Sequence, residues 1–146
     1  MNRKLDNGAS WQEIEQFFNQ LSLVTRLGIE VSFANPQQPK CAVNDIQPYH
    51  LGGIGQDYIN GVIISGIIDL ALGLTALTES KMGEFATTSL SINLAKPISN
   101  GRFYVISQSK QKIGRKIFSE AIVYDQDDNP CVYATGVIRI DITKDK

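Results

Sequence analysis

A single carboxylate, Asp69, stands in the middle of a segment from Ile59 to Leu77 that is otherwise apolar and has helical spacing. Burying an ionised carboxylate is costly unless a partner compensates it or a reaction uses it, so packing alone does not explain the residue. It either caps backbone donors or pairs with a lysine or arginine, or it serves as a base or nucleophile. On a helix Ser65, Asp69 and Gly73 fall four apart, with Val62, Gly66 and Ala76 at three- and four-residue offsets on the same face. These small groups leave room for a bulky ligand or for close approach of a strand or second helix. Gly61, near the helix N-terminus, offers a backbone N–H at the positive end of the dipole with no side chain in the way. Such a donor can hold a developing oxyanion, and losing one typically slows a reaction about 100- to 1,000-fold. Asn60 is either a helix cap or a side chain that holds a substrate carbonyl or water.

His50 is the only histidine, so it invites a general-base role or a contact from an active-site lid, set against an ordinary loop histidine. No cluster suits a catalytic metal, and none is expected. Cys41 and Cys131 fit no metal-ligand spacing and make no disulfide framework, which points to reduced core residues and a cytoplasmic protein. The polar N-terminus from Met1 to Ser10 lacks the apolar stretch of a secretory signal. With 14 basic and 15 acidic residues the chain has no global field favouring nucleic acid or an anionic membrane. Locally the balance differs. No acidic residue lies between Glu84 and Glu120, where Lys96, Arg102, Lys110, Lys112, Arg115 and Lys116 all fall. This is a solvated basic face or an anion-attracting region; Phe103, Tyr104 and Phe118 interleave with it as strand alternation requires, without RNA.

The elements that must position these groups can be read along 146 residues, the size of one domain. Ser10 and Glu13 form a capping box ahead of Trp11, Ile14, Phe17, Phe18 and Leu21, which predicts a short helix over about 10–22. Gly28 to Asn35 and Lys40 to Ile46 read as strands around a Pro-marked turn, and Gly52, Gly53 and Gly55 mark a loop. A central helix over about 59–78 follows. Its apolar run approaches bilayer-spanning length, but Asp69 near its centre would cost about 2.5–3.5 kcal/mol there, favouring a helix buried in its own protein. Beyond it the period becomes two. Leu90, Ile92 and Leu94; Phe103 and Val105; Phe118, Ile122 and Tyr124; and Val132, Ala134, Ile138 and Ile140 mark four antiparallel strands. Breaks fall at Pro97 to Gly101, Ile113 to Arg115 and Asp127 to Pro130. A sheet this large and one apolar helix hide both surfaces best if the sheet curls around the helix.

This order, with the segment from Asn60 to Asp69, resembles the hotdog-fold acyl-CoA thioesterases, in the branch that includes phenylacetyl-CoA thioesterases, over roughly Gly28 to Ile142. Members read His-Gly-Gly at the start of the central helix, with the catalytic Asp nine residues after the His. Here Asn60 stands at the His, Gly61 matches the first Gly, Val62 replaces the second, and Asp69 falls on the carboxylate. Ile54 stands at one position where members place an Asn or Gln, and His50-Leu51-Gly52-Gly53 is similar to a stretch in members with Asn-Gly. Thr87 lies where the family places a hydroxyl, which could orient the lytic water. Lys96-Pro97, Gly114-Arg115 and Tyr124-Asp125 match further landmarks.

The resemblance implies an α+β hotdog fold of about six strands and a thioester hydrolase using Asp69, Gly61, Asn60 and Thr87. Ser65, Gly66 and His50 would face the substrate. Lys112, Arg115 and Lys116 would meet the phosphates of coenzyme A, which is part of the substrate and no separate cofactor. A homodimer, or a homotetramer, is implied, with no nucleic-acid or membrane partner. Two other readings stay open: a non-catalytic acyl-CoA or fatty-acyl binding protein, and a hydratase, for which His50 would have to act with Asp69 nineteen residues on.

Overall fold

A computed structural model of the chain describes residues 8–52, 57–80 and 84–141. Gly53, Ile54, Gly55, Met1 to Asn7 and Ile142, all used in the sequence reading, lie outside them. Helix α1 (Trp11–Asn19) starts at the expected capping box: the Glu13 N–H donates to Ser10 Oγ at 3.1 Å, and the Ser10 N–H donates to Glu13 Oε1 at 3.0 Å. The helix is shorter than the sequence predicts. Leu21 is extended and starts a separate short helix, α2 (Ser22–Arg26), for which the periodicity gave no sign.

Strands β1 (Ile29–Ser32) and β2 (Lys40–Val43) are four residues each, shorter than their apolar runs, and pair antiparallel. A 3-10 turn (Pro48–His50) leads towards helix α3 (Gly61–Leu74), which tightens into a second 3-10 turn (Thr75–Thr78). Together Gly61–Thr78 is long and apolar enough to cross a bilayer, but 61% of that window is buried inside the fold. Strands β3 (Glu84–Leu94), β4 (Phe103–Ile113), β5 (Lys116–Tyr124) and β6 (Pro130–Asp141) complete one antiparallel sheet in the order β1-β2-β4-β5-β6-β3.

Helix α3 packs on β4, β3, β5 and β6, and the core is one cluster between them. Close approach is built in at Gly136 of β6, where a Cβ would stand 2.9 Å from Leu72 Cδ1 and 3.1 Å from the Ser89 carbonyl. The buried face of β5 is Ile117, Ser119, Ala121 and Val123. Phe118, Ile122 and Tyr124, which the alternation singles out, lie on the opposite face of the sheet. Both faces of this strand are apolar enough to pass for a core.

Two bulges re-aim side chains. In β3 the register shifts between Thr87 and Ser89, so Phe85 and Thr87 before it and Leu90, Ile92 and Leu94 after it lie on the same side of the sheet as α3. In β4 a shift between Ser109 and Gln111 turns Lys112 to the helix side, where its Nζ lies 3.6 Å from Glu79 Oε1.

Candidate functional site

Asp69 is not buried. The sheet-facing side of α3 is closed by Ile63, Ile64, Ile67, Ile68, Ala71 and Leu72, whereas Gly61, Val62, Gly66 and Asp69 look outward and Ser65 is half-buried. Val62, which makes the segment read as apolar all round, is 82% exposed. A carboxylate here retains access to water, so the burial penalty expected from the sequence does not arise. No lysine or arginine pairs with it among the described residues. The Thr87 hydroxyl donates to Asp69 Oδ1 at 2.7 Å, and no described donor occupies Oδ2. The β3 bulge directly after Thr87 holds that hydroxyl on the helix side.

Around this pair lies an open cleft of about 250 Å³ lined by Phe18, Asp69, Leu70, Gly73, Leu74, Phe85, Ala86 and Thr87. Apart from the carboxylate and the hydroxyl, its side chains are apolar. Such a cleft accepts a greasy group and presents one oriented carboxylate to whatever is attached to it. Phe18 comes from α1, which sequence reasoning treated only as packing.

Asn60 is fully engaged elsewhere. Its Oδ1 accepts from the Ile63 N–H at 2.8 Å, and its Nδ2 donates to the carbonyls of Tyr49 at 3.0 Å and Leu51 at 3.1 Å. It caps α3, one of the two readings open from the sequence, and ties the preceding loop to it, leaving neither amide hydrogen for a substrate carbonyl. Gly61 follows with its N–H free of any described acceptor, and a Cβ there would meet nothing within 4 Å. A Cβ at Gly66 likewise meets nothing within 4 Å among the described residues.

His50 also departs from its expected role as a base or lid contact. It is 0% exposed, its Nδ1 accepts from the Gln47 N–H at 2.8 Å, and its Nε2 lies 2.7 Å from the Leu27 carbonyl. Since Nδ1 faces a donor, Nε2 carries the hydrogen, and the neutral ring is saturated. Its own carbonyl accepts from the Asn60 N–H at 2.9 Å. The residue therefore braces α2, the loop and the start of α3. Gly28 has φ +68°, and a Cβ built there would stand 3.7 Å from His50 Cε1.

The basic residues sit at the β4–β5 hairpin. Arg115 and Lys116 are exposed and make no ion pair among the described residues, while Lys112 is held by Glu79. Gly114, at φ +60°, makes the turn, and the Arg115 carbonyl accepts from the Ile140 N–H at 2.7 Å. Sequence reasoning missed Arg139, exposed on β6 and paired across strands with both Lys116 and Ala86. The cysteines offer no nucleophile: both are buried and free, and burial pushes the Cys41 thiol up to about 12. No group of three or more metal-ligating His, Cys, Asp or Glu occurs among the described residues.

No protein-family model matches the chain, and no curated protein matches its sequence. Solved structures do. A protein from Shewanella oneidensis related to the thioesterase superfamily superposes with a TM-score of 0.78 at 15% identity, over 90% of this chain and 95% of its own. The E. coli PaaI protein from the phenylacetic acid degradation operon gives 0.76 at 13% identity, over 90% and 92%. A thioesterase family protein from Silicibacter pomeroyi gives 0.73 at 17% identity, over 88% and 96%. At these identities the likeness is one of architecture: the chain has a hotdog-like fold, a six-stranded antiparallel sheet around a central helix, shared with thioesterase-superfamily proteins.

Proposed function

We propose that this protein is an acyl-CoA thioesterase with Asp69 as general base or nucleophile. The observation that carries the reading is the carboxylate itself, held through one oxygen by Thr87, open at the other, and set in an apolar cleft without a neutralising cation. As a base, Asp69 takes a proton from water as the oxygen attacks the thioester carbon. The tetrahedral oxyanion collapses by breaking the C–S bond, and the departing thiolate takes a proton back. As a nucleophile, its oxygen attacks the thioester carbon, the C–S bond breaks to release the thiolate, and water then opens the resulting anhydride to free acid and regenerated carboxylate. Thr87 positions the carboxylate, and its hydroxyl oxygen can still accept from the lytic water.

Gly61 and Asp69 of one chain cannot share a carbonyl. Eight residues of α3 separate them, about 12 Å along the helix, whereas an oxyanion donor must lie about 3 Å from the oxygen it stabilises. A second copy related by a two-fold axis near Ser65, midway between them, sets Gly61 of each chain against Asp69 of the other. The open space around Gly61 and Gly66, the exposed Val62, and the apolar β3 residues Leu90 and Leu94, 40% and 55% exposed beyond the reach of α3, all support a homodimer packed there. Ser65 would lie at the axis. A lone chain has the cleft without the oxyanion donor, which favours an acyl-CoA binding protein as the second reading for any monomeric form. Arg115 and Lys116, with no described ion-pair partner, are the proposed contacts for the coenzyme A phosphates. The buried free thiols suit a reducing cytoplasm.

Thiol release from acyl-CoAs and from the same acyl groups on N-acetylcysteamine tests the assignment. Asp69→Asn should lower kcat about 100- to 10,000-fold, and Arg115→Ala should raise KM for the CoA substrates only. Equal rates for wild type and Asp69→Asn would end the catalytic role of Asp69. Tight binding without turnover in the wild type would select the binding protein.

A further inference from the structure

We propose that Phe85, seated on Gly73, ends the cleft that begins at Asp69 and so sets the longest acyl chain the protein accepts. The proposal rests on the acyl-CoA reading above for the identity of the ligand, and on the cleft's own shape for the limit. Asp69 and Thr87 form one rung between α3 and β3, joined by the 2.7 Å hydrogen bond. Gly73 lies one turn further along α3. Phe85 lies two residues before Thr87 on the same face of β3. A second rung therefore crosses the cleft about 6 Å from the first.

This second rung is a contact of ring on backbone. A Cβ built on Gly73 would stand 3.3 Å from Phe85 Cε2, tight enough that the ring would have to yield. Glycine lets the phenyl group sit against the helix, where it crosses the direction a chain leaving Asp69 would follow. Leu70, Leu74 and Phe18 supply the remaining apolar wall. About 150 Å³ suffices for one benzene, so the open cleft of about 250 Å³ has room for a compact acyl group beside Asp69, and the limit on a longer chain rests on Phe85. The absence of any other polar side chain beyond Asp69 and Thr87 in that lining leaves size as the discriminating property.

The test uses non-hydrolysable S-alkyl-CoA thioethers of two to fourteen carbons, with dissociation constants measured by calorimetry on the full chain. For the wild type, affinity should rise about fourfold per methylene up to a limit and then level or fall. Phe85→Ala should move that limit outward by at least two carbons, Phe85→Leu by less, and Gly73→Ala inward, with circular dichroism showing each variant folded. An unmoved limit in both Phe85 variants overturns the proposal, as does wild-type affinity that is undetectable at every length or indifferent to length. Hydrolysis of the matching thioesters is followed in parallel. A limit that moves as expected in a wild type that never releases thiol leaves the proposal standing and overturns the hydrolase reading alone.

Discussion

At one edge of the sheet, β1 gives its free backbone groups to α1: Asn19 Nδ2 donates to the Val31 carbonyl, its Oδ1 accepts from the Val31 N–H, both at 2.8 Å, and Glu15 Oε1 accepts from the Phe33 N–H at 2.7 Å. At the other edge, β3 runs eleven residues with β6 on one side and no strand on the other among the described residues, and two of its leucines face solvent. An uncovered edge with an apolar flank is a template for pairing, which proteins otherwise blunt with charge, proline or a covering element. Here only the edge remote from the carboxylate is blunted. The difference teaches that the short amphipathic helix closes one edge of the sheet, and that the candidate site lies beside the edge left open.

Val62→Lys probes the open side with the largest expected effect. The side chain is 82% exposed in the single chain, so the substitution should change monomer stability by less than about 0.5 kcal/mol. If a second copy covers it, sedimentation should show loss of the dimer, and thiol release should fall at least about 100-fold with the missing oxyanion donor. Unchanged mass and unchanged activity together would remove the two-fold arrangement. A smaller effect is expected behind the site, at His50. Its replacement by alanine strands two backbone partners and opens a cavity, costing about 3 kcal/mol in denaturant unfolding. The kcat of the surviving folded enzyme should stay within about tenfold of wild type, and a thousandfold loss at unaltered stability would restore His50 to the chemistry. Asn19→Ala tests the covered edge and should do least: about 1–2 kcal/mol of stability, with mass and kcat/KM retained. A gain of higher oligomers would show that Asn19 guards the edge against pairing.

Much of the architecture was legible because it rests on local signals. The capping box, the central helix and the four long strands follow from spacing and turn chemistry, and the structure has them within a few residues. The phase of β3 was not legible, since a bulge leaves no mark in the alternation and Leu90, Ile92 and Leu94 look continuous with what precedes them. Nor was the exposure of Asp69. Val62 and the glycines read as core, although the structure leaves Val62, Gly61 and Gly66 exposed on one side of α3. His50 and Asn60 looked reactive by residue type, and only their hydrogen-bond partners show that both are braces. Gly136 carried a readable signal, a glycine inside a strand, which usually marks close backbone approach. There it lets Leu72 of α3 lie against the β6 backbone.

The bulge in β3 shelters the carboxylate's setting from a change in chain length. Deleting Thr88, which itself lines no part of the cleft, would splice two half-strands of opposite parity into one regular strand. With Thr87 still opposite Ile138 and Ser89 opposite Val137, Phe85, Thr87 and the later leucines would share one face in unbroken alternation, and the carboxylate would keep both its tether and its wall. A strand that instead kept Thr88 in a regular ladder would turn Phe85 and Thr87 away from Asp69, so the bulge is what lets the longer strand hold both beside the carboxylate.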